Sequence, residues 1–318
     1  MATIIAELCQ NHKGDKKLVS DMIAAAADAG ADYAKIQTIR ADDLTKRERF
    51  EEGVVENGET KVIKRPYDPE YARLKPMDLS DDDHRWFIEE CKRFNIKPLT
   101  TAFTRGSIPF LASLEWDAIK VASYDCASYP MIKELREAFS TLFISTGATY
   151  DEEIEKTSEI LKGHDDYTFL HCVTIYPTPL DAMNLARLEF LKKYAPKVGF
   201  SDHSLVERDG IKASVAAIAH GAEVIERHFT ILEKDETKDG PVSIKPDQLR
   251  ELVEFGKKPQ QEVLDYVSNE YPEYPSMIGV KTRPLSHAEL LNRDYYRGRF
   301  ASKVNAEYVY NWEDTLIS

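Results

Sequence analysis

Eight short β-type apolar runs, each followed by a stretch with helical periodicity, constrain this chain more than any other feature of its sequence. The runs fall at 3–8, 32–37, 97–103, 118–123, 142–147, 167–173, 197–202 and 223–229. The helical stretches between them are 16–29, 80–94, a shorter one near 106–114, 127–138, 150–162, 183–193, 207–220 and 246–257. The first stops at Gly30; the second opens on a Ser/Asp-rich cap around Ser80 and puts Trp86, Phe87 and Cys91 on one expected buried face. Strand followed by helix, repeated, requires parallel pairing, because parallel neighbours need a crossover. Eight such units over about 250 residues predict an α/β fold of the (β/α)8 TIM-barrel type. The competing architecture is an open doubly wound sheet. The first strand–helix turn, Glu7 to Gly14, lacks a Gly-x-Gly-x-x-Gly fingerprint, so dinucleotide binding loses support.

Residues 1–258 form the expected catalytic barrel, and 259–318 a Tyr- and Pro-rich C-terminal extension read as packing rather than a second enzyme domain. The connection 40–79 is long and charged, and in a barrel it lies where a lid would be. A net charge of −13 argues against a nucleic-acid partner or an anionic membrane surface, so any anionic ligand needs a local cationic pocket. The N-terminus enters an apolar run without a basic leader, and no apolar stretch reaches spanning length, so a cytoplasmic protein is expected. Cys9, Cys91, Cys126 and Cys172 lack metal or disulfide spacing and read as buried free thiols, with a cysteine nucleophile as the sharper alternative.

In a barrel, ligands bind at the C-terminal strand ends. The polar residues there are Glu7, Lys35, Gln37, Thr101, Lys120, Ser123, Ser145, Thr174, Tyr176, Ser201, His203 and His228. Side chains two apart on a strand share a face, which pairs Lys35 with Gln37, Thr174 with Tyr176, Ser201 with His203, and Glu226 with His228. Lys35 and Lys120 sit inside apolar runs. They read either as salt-bridged to a carboxylate such as Glu7 or Asp125, or as two cations facing a phosphate or carboxylate. His203 and His228 read either as locally hydrogen-bonded strand ends or as a pair sharing one divalent ion, with Asp202 and Glu226 behind them. Neutral imidazoles suit Mn²⁺, Fe²⁺, Co²⁺ or Zn²⁺, and open positions on such an ion suit a Lewis acid polarising a carbonyl. His12 is a further candidate ligand or acid; His84, His164, His220 and His287 read as structural or solvated.

The motifs carrying these residues resemble those of the sialic acid synthases, enzymes that condense phosphoenolpyruvate into nonulosonic acids. The matching segments, in order, are 5–14, 30–38, Thr100–Phe103, Lys120–Ser123, Ser145–Gly147, His171-Cys172 with Tyr176-Pro177, Ser201–His203 and Ile225–Thr230. The resemblance implies a divalent metal, commonly Mn²⁺, with Mg²⁺ or Co²⁺ as alternatives, on His203 and His228. It implies phosphoenolpyruvate on Lys35, Thr101, Lys120, Ser123, Ser145 and Ser201, with Thr174 beside them. It implies an open-chain N-acyl hexosamine contacting Gln37, Tyr176 and Asp239, with Glu7 and Asp125 nearby. Glu7, Lys35, Lys120 and Asp125 are the expected catalytic set. Cys9 stands where the family usually has Gly, Ala102 where it has Pro, Asp125 where Glu is usual, and Gly240 where many members have His. The run 297–302 is similar to the linker that leads into the family's antifreeze-like domain, so the expectation is a chain lacking that domain and possessing, at most, the family's homodimer. Two other classes compete: a Schiff-base aldolase or lyase using Lys35 or Lys120, and a non-catalytic interaction subunit.

Overall fold

The computed structural model describes residues 1–317. Eight parallel strands close into a barrel: β1 Thr3–Glu7, β2 Tyr33–Thr38, β3 Lys97–Ala102, β4 Ala118–Val121, β5 Leu142–Ser145, β6 Tyr167–His171, β7 Lys197–Asp202 and β8 Val224–His228. Neighbours in space are neighbours in sequence, and β8 pairs with β1 to seal the ring. All eight expected strands are present. The open doubly wound alternative is therefore excluded.

The helices differ more from expectation. Lys16–Asp28 and Asp81–Arg93 lie where periodicity put them, the second capped by Ser80 and Asp83 in a reciprocal box. The expected helix 207–220 divides into Val206–Asp209 and Lys212–Ala219, because Gly210 between them adopts φ +55°. The expected helix 183–193 shrinks to Arg187–Leu191, since Asn184 takes a left-handed φ of +50°.

Two packing zones hold the barrel. Outside it, the strands' outward apolar residues meet the helices in one continuous core. Inside it lies a separate plug: Ile5, Tyr33, Leu99, Ala118, Phe143, Leu170 and Val224, one from every strand except β7. The matching β7 residue is Gly199, where an added Cβ would sit 2.5 Å from Leu170 Cδ2 and 2.4 Å from the Val224 carbonyl. Seven side chains thus fill eight positions, and the barrel is closed at its N-terminal end.

The 40–79 connection is folded rather than loose. It carries a hairpin, Val54–Glu56 with Glu59–Val62, and the helix Tyr67–Leu74. Ile39, Ala41, Leu44 and Leu74 pack with Phe300 in a small core of their own. The last sixty residues first add Gln260–Glu270, which buries Val263 and Val267 against the barrel's outer core. They then return across the mouth as helix His287–Tyr296 and a hairpin, Ser302–Val304 with Glu307–Val309. Asn292 Nδ2 donates to the Thr174 carbonyl at 2.7 Å, and Arg293 Nη1 to the Ala148 carbonyl at 2.6 Å. No helix among the described residues is long and apolar enough to cross a membrane.

Candidate active site

The plug explains the site. Side chains alternate along a strand, so the residue two positions beyond each plug member faces inward again, one step nearer the mouth. Ile5 leads to Glu7, Tyr33 to Lys35, Leu99 to Thr101, Ala118 to Lys120, Phe143 to Ser145, Gly199 to Ser201 and Val224 to Glu226. An apolar floor is followed at once by a ring of charges and hydroxyls. One further step brings in Gln37, His203 and His228.

Above this floor opens a cavity of about 500 Å³, within the usual range of small-molecule sites, roughly 300–1,000 Å³. It is lined by Glu7, Lys35, Gln37, Thr101, Lys120, Ser123, Asp125, Ser145, Tyr176, Ser201, His203, His228 and Asp239. Thr174 alone of the expected site residues is not part of the lining. It is fully buried, with its Cγ2 against Gly147, and its hydroxyl has no hydrogen-bond partner.

Both lysines are paired, which answers how a cation is tolerated in an apolar run. Lys35 contacts Glu7, whose other oxygen accepts from Gln37 Nε2 at 2.8 Å. Glu226 lies between the lysines, 3.2 Å from Lys120 Nζ and 3.6 Å from Lys35 Nζ, and accepts from Ser201 Oγ at 2.8 Å. Burial alone would lower the Lys35 pKa; Glu226 and Glu7 reverse this and raise it, so it stays an ammonium. Burial opposes the charge on Glu226, but Lys120 and Lys35 hold it well below the usual carboxylate range. Asp125 is not a lysine partner. It accepts from Ser128 Oγ at 2.8 Å and Asn311 Nδ2 at 3.0 Å, and burial pushes it up to about 6 against those bonds.

His203 and His228 face each other edge to face, ring centroids 5.5 Å apart. His203 reaches the Val173 carbonyl through Nδ1 (3.4 Å), and the Tyr176 ring lies 4.2 Å from its own. Burial, and then His228, lower the His203 pKa to about 3, leaving the neutral imidazole that ligates metals. His228 Nδ1 and Glu226 Oε2 are buried without a hydrogen-bond partner, although Oε2 is ion-paired with Lys35 at 3.6 Å. An ionic or polar occupant at this end of the cavity would satisfy such orphans, so the donor set fits a divalent ion. Cys9, His228 and Asp239 bring three donor atoms within 4.8 Å of one another, a group that does not include His203.

Two expected neighbours of the metal pair are placed differently. Glu226, read as standing behind the histidines, instead compensates both lysines. Asp202 points outward, paired with Arg227 at 2.9 Å and bonded to Ser214, because it alternates with the inward Ser201 and His203. His12 lies outside the cavity lining, its Nδ1 accepting from the Gly14 amide.

The cavity also holds residues absent from the strand-end reading: Gln10, Arg65, Arg73, Lys238, Asn292, Tyr296, Arg299 and Asn311. Arg73 donates to Gln10 at 2.7 Å and, with Arg299, grips Glu70. Arg73 comes from the helix Tyr67–Leu74 of the 40–79 connection, and the others from loops or the returning C-terminal segment, none of them at a barrel strand end. The run Arg297–Phe300 was the visible signal for Arg299.

A family model described as the NeuB family matches residues 22–264. The chain belongs to the NeuB family. An N,N'-diacetyllegionaminic acid synthase of Legionella pneumophila is 32% identical over 79% of this chain and 70% of its own length. A pseudaminic acid synthase of Campylobacter jejuni is 30% identical over 94% of this chain and 81% of its own. Among solved structures, an N-acetylneuraminic acid synthetase from Leptospira borgpetersenii, in complex with citrate, superposes with a TM-score of 0.68 at 27% identity, covering 92% of this chain and 90% of that one.

Proposed function

We propose that this NeuB family enzyme, of the sialic and nonulosonic acid synthase type, condenses phosphoenolpyruvate with an open-chain N-acyl hexosamine and releases phosphate. The observation that carries the reading is the polar lining above the plug: two buried lysines, four Ser/Thr hydroxyls and two histidines converge on one chamber. Carbon 3 of phosphoenolpyruvate bonds to the sugar's aldehyde carbon, and positive charge develops at carbon 2. Water adds there, and the C–O bond to phosphate breaks.

Lys35 and Lys120 offset the phosphate and carboxylate charges, and Thr101, Ser123, Ser145 and Ser201 donate to the same oxygens. Thr174, behind the wall, supports them. Glu7, anchored by Lys35 and Gln37, faces the developing charge at carbon 2. Gln37, Tyr176 and Asp239 hold the sugar nearer the mouth, and Asp125 is the remaining acid in reach of it. His203 and His228 would hold a divalent ion, Mn²⁺ first, which when bound polarises the aldehyde oxygen. The barrel residues 1–258 carry the chemistry, and 259–318 extend it.

A Schiff-base aldolase needs a neutral amine. The carboxylates around Lys35 hold it protonated, which weighs against that class. Phosphate release from phosphoenolpyruvate with Mn²⁺, across a panel of N-acyl hexosamines, tests the proposal. Acceptor-dependent release supports it. Release without an acceptor, or borohydride trapping of a lysine adduct, refutes it.

A further inference from the structure

Cys9 occupies an unusual place. It lies in the turn two residues past the end of β1, whose last residue, Glu7, is in register with His228 on the adjoining β8. Its backbone has φ +41°, a left-handed conformation that favours glycine and strains a residue bearing a β-carbon. The side chain is completely buried. Its sulfur, a His228 nitrogen and an Asp239 oxygen lie within 4.8 Å of one another. His228, itself buried, has an Nδ1 with no partner. A strained, buried thiol beside an unpartnered imidazole and a carboxylate is a donor set, not a packing choice.

We infer that Cys9 is a thiolate ligand of the ion held by His228, with Asp239 as the oxygen donor, so that the site is a mixed S, N, O site. This rests on the metal-dependent reading above and sharpens it. The shared His228 joins the two halves: His203 on the β7 side, Cys9 and Asp239 on the β1 side. Ligand bonds of roughly 2.0–2.3 Å place donor atoms about 3.5 Å apart, so this cluster, spread over at most 4.8 Å, would contract by about an ångström around an ion. A thiolate also alters which ion is held. Sulfur selects Zn²⁺, Fe²⁺ or Co²⁺ over Mn²⁺ and Mg²⁺, which favour oxygen. Binding releases the thiol proton, so uptake of the ion is accompanied by acid release.

Co²⁺ is the probe, added to the full chain with its content measured by elemental analysis. The wild type is expected to bind one Co²⁺ with a sulfur-to-cobalt charge-transfer band in the near ultraviolet. Cys9→Gly suits the left-handed backbone, so it should fold. It is expected to lose the band, bind Co²⁺ at least tenfold more weakly and shift its preference toward Mn²⁺. Asp239→Asn should weaken binding while keeping the band. Stoichiometric Co²⁺ without the band, unchanged in Cys9→Gly, overturns the inference and leaves metal binding by the histidines standing. Failure of the wild type to hold Co²⁺, Zn²⁺ or Mn²⁺ overturns the metal reading and this inference together.

Discussion

Glu226→Gln is the substitution whose effect the structure defines best. The carboxylate lies 3.2 Å from Lys120 and 3.6 Å from Lys35, and all three side chains are at most 5% exposed. At an effective dielectric constant near 20, each contact is worth about 5 kcal/mol before desolvation is subtracted. Much of that gross attraction offsets the penalty of burying the three charges. Removing Glu226, however, leaves Lys120 without its carboxylate while Lys35 keeps Glu7, and breaking a buried pair in this way typically costs about 3–5 kcal/mol. Glutamine keeps the shape and can still accept from Ser201, so the loss reports charge rather than packing. With an unfolding entropy of roughly 2.1 cal/mol/K per residue, the melting temperature should fall by about 4–8 °C.

The pH dependence supplies the control. Glu226 titrates far below an ordinary carboxylate, so its contribution is fully present above the unfolded pKa and is lost as pH falls. The gap between wild type and variant should therefore narrow below about pH 4. An anionic ligand replaces the missing charge, so phosphoenolpyruvate should raise the variant's melting temperature more than the wild type's. Thermal denaturation from pH 3.5 to 8, roughly spanning the carboxylate titration, reads all of this. A shift under about 1 °C that does not change with pH would refute the claim that Glu226 compensates the lysines.

Asp125→Asn should stabilise the protein by up to about 3 kcal/mol at neutral pH. The native pKa of about 6 exceeds the unfolded value, so wild-type stability declines as pH rises through that interval, and the gain should vanish in acid denaturation below about pH 4. Asn311→Ala removes donors to Asp125 and the Phe103 carbonyl and the acceptor for the Arg105 amide; a loss of about 2–4 kcal/mol and faster hydrogen exchange over 302–311 are expected. Gly199→Ala forces a methyl against Leu170 and Val224 and should destabilise by roughly 1–3 kcal/mol in chemical denaturation, with metal content unchanged. His203→Ala with His228→Ala should abolish bound metal by elemental analysis while keeping the barrel's circular dichroism. Retention of the metal would remove the histidines from its shell.

The barrel was legible because its strands and helices carry different apolar periods, and because eight repeats leave few topologies. The strand-end residues of the cavity lining were legible for the same reason: strand ends are readable, and the two-residue alternation assigns a face, whereas Asp239 was reached only through the motif resemblance. The partners were not. Nothing local to Glu226 says that it meets Lys120, which lies 106 residues away. Asn311 and Arg299 reach the cavity through a chain that turns back over the mouth, and turns carry no signal of destination. Helix 207–220 failed at Gly210 because periodicity is blind to a single left-handed residue.

The apolar plug has a consequence for traffic. A chamber whose floor is packed with Ile5, Tyr33, Leu99, Ala118, Phe143, Leu170 and Val224 leaves no passage along the barrel axis among the described residues. A molecule resting against Lys35 and Lys120 would therefore lie deeper than one held at the mouth, and an occupant of the mouth would stand in its way.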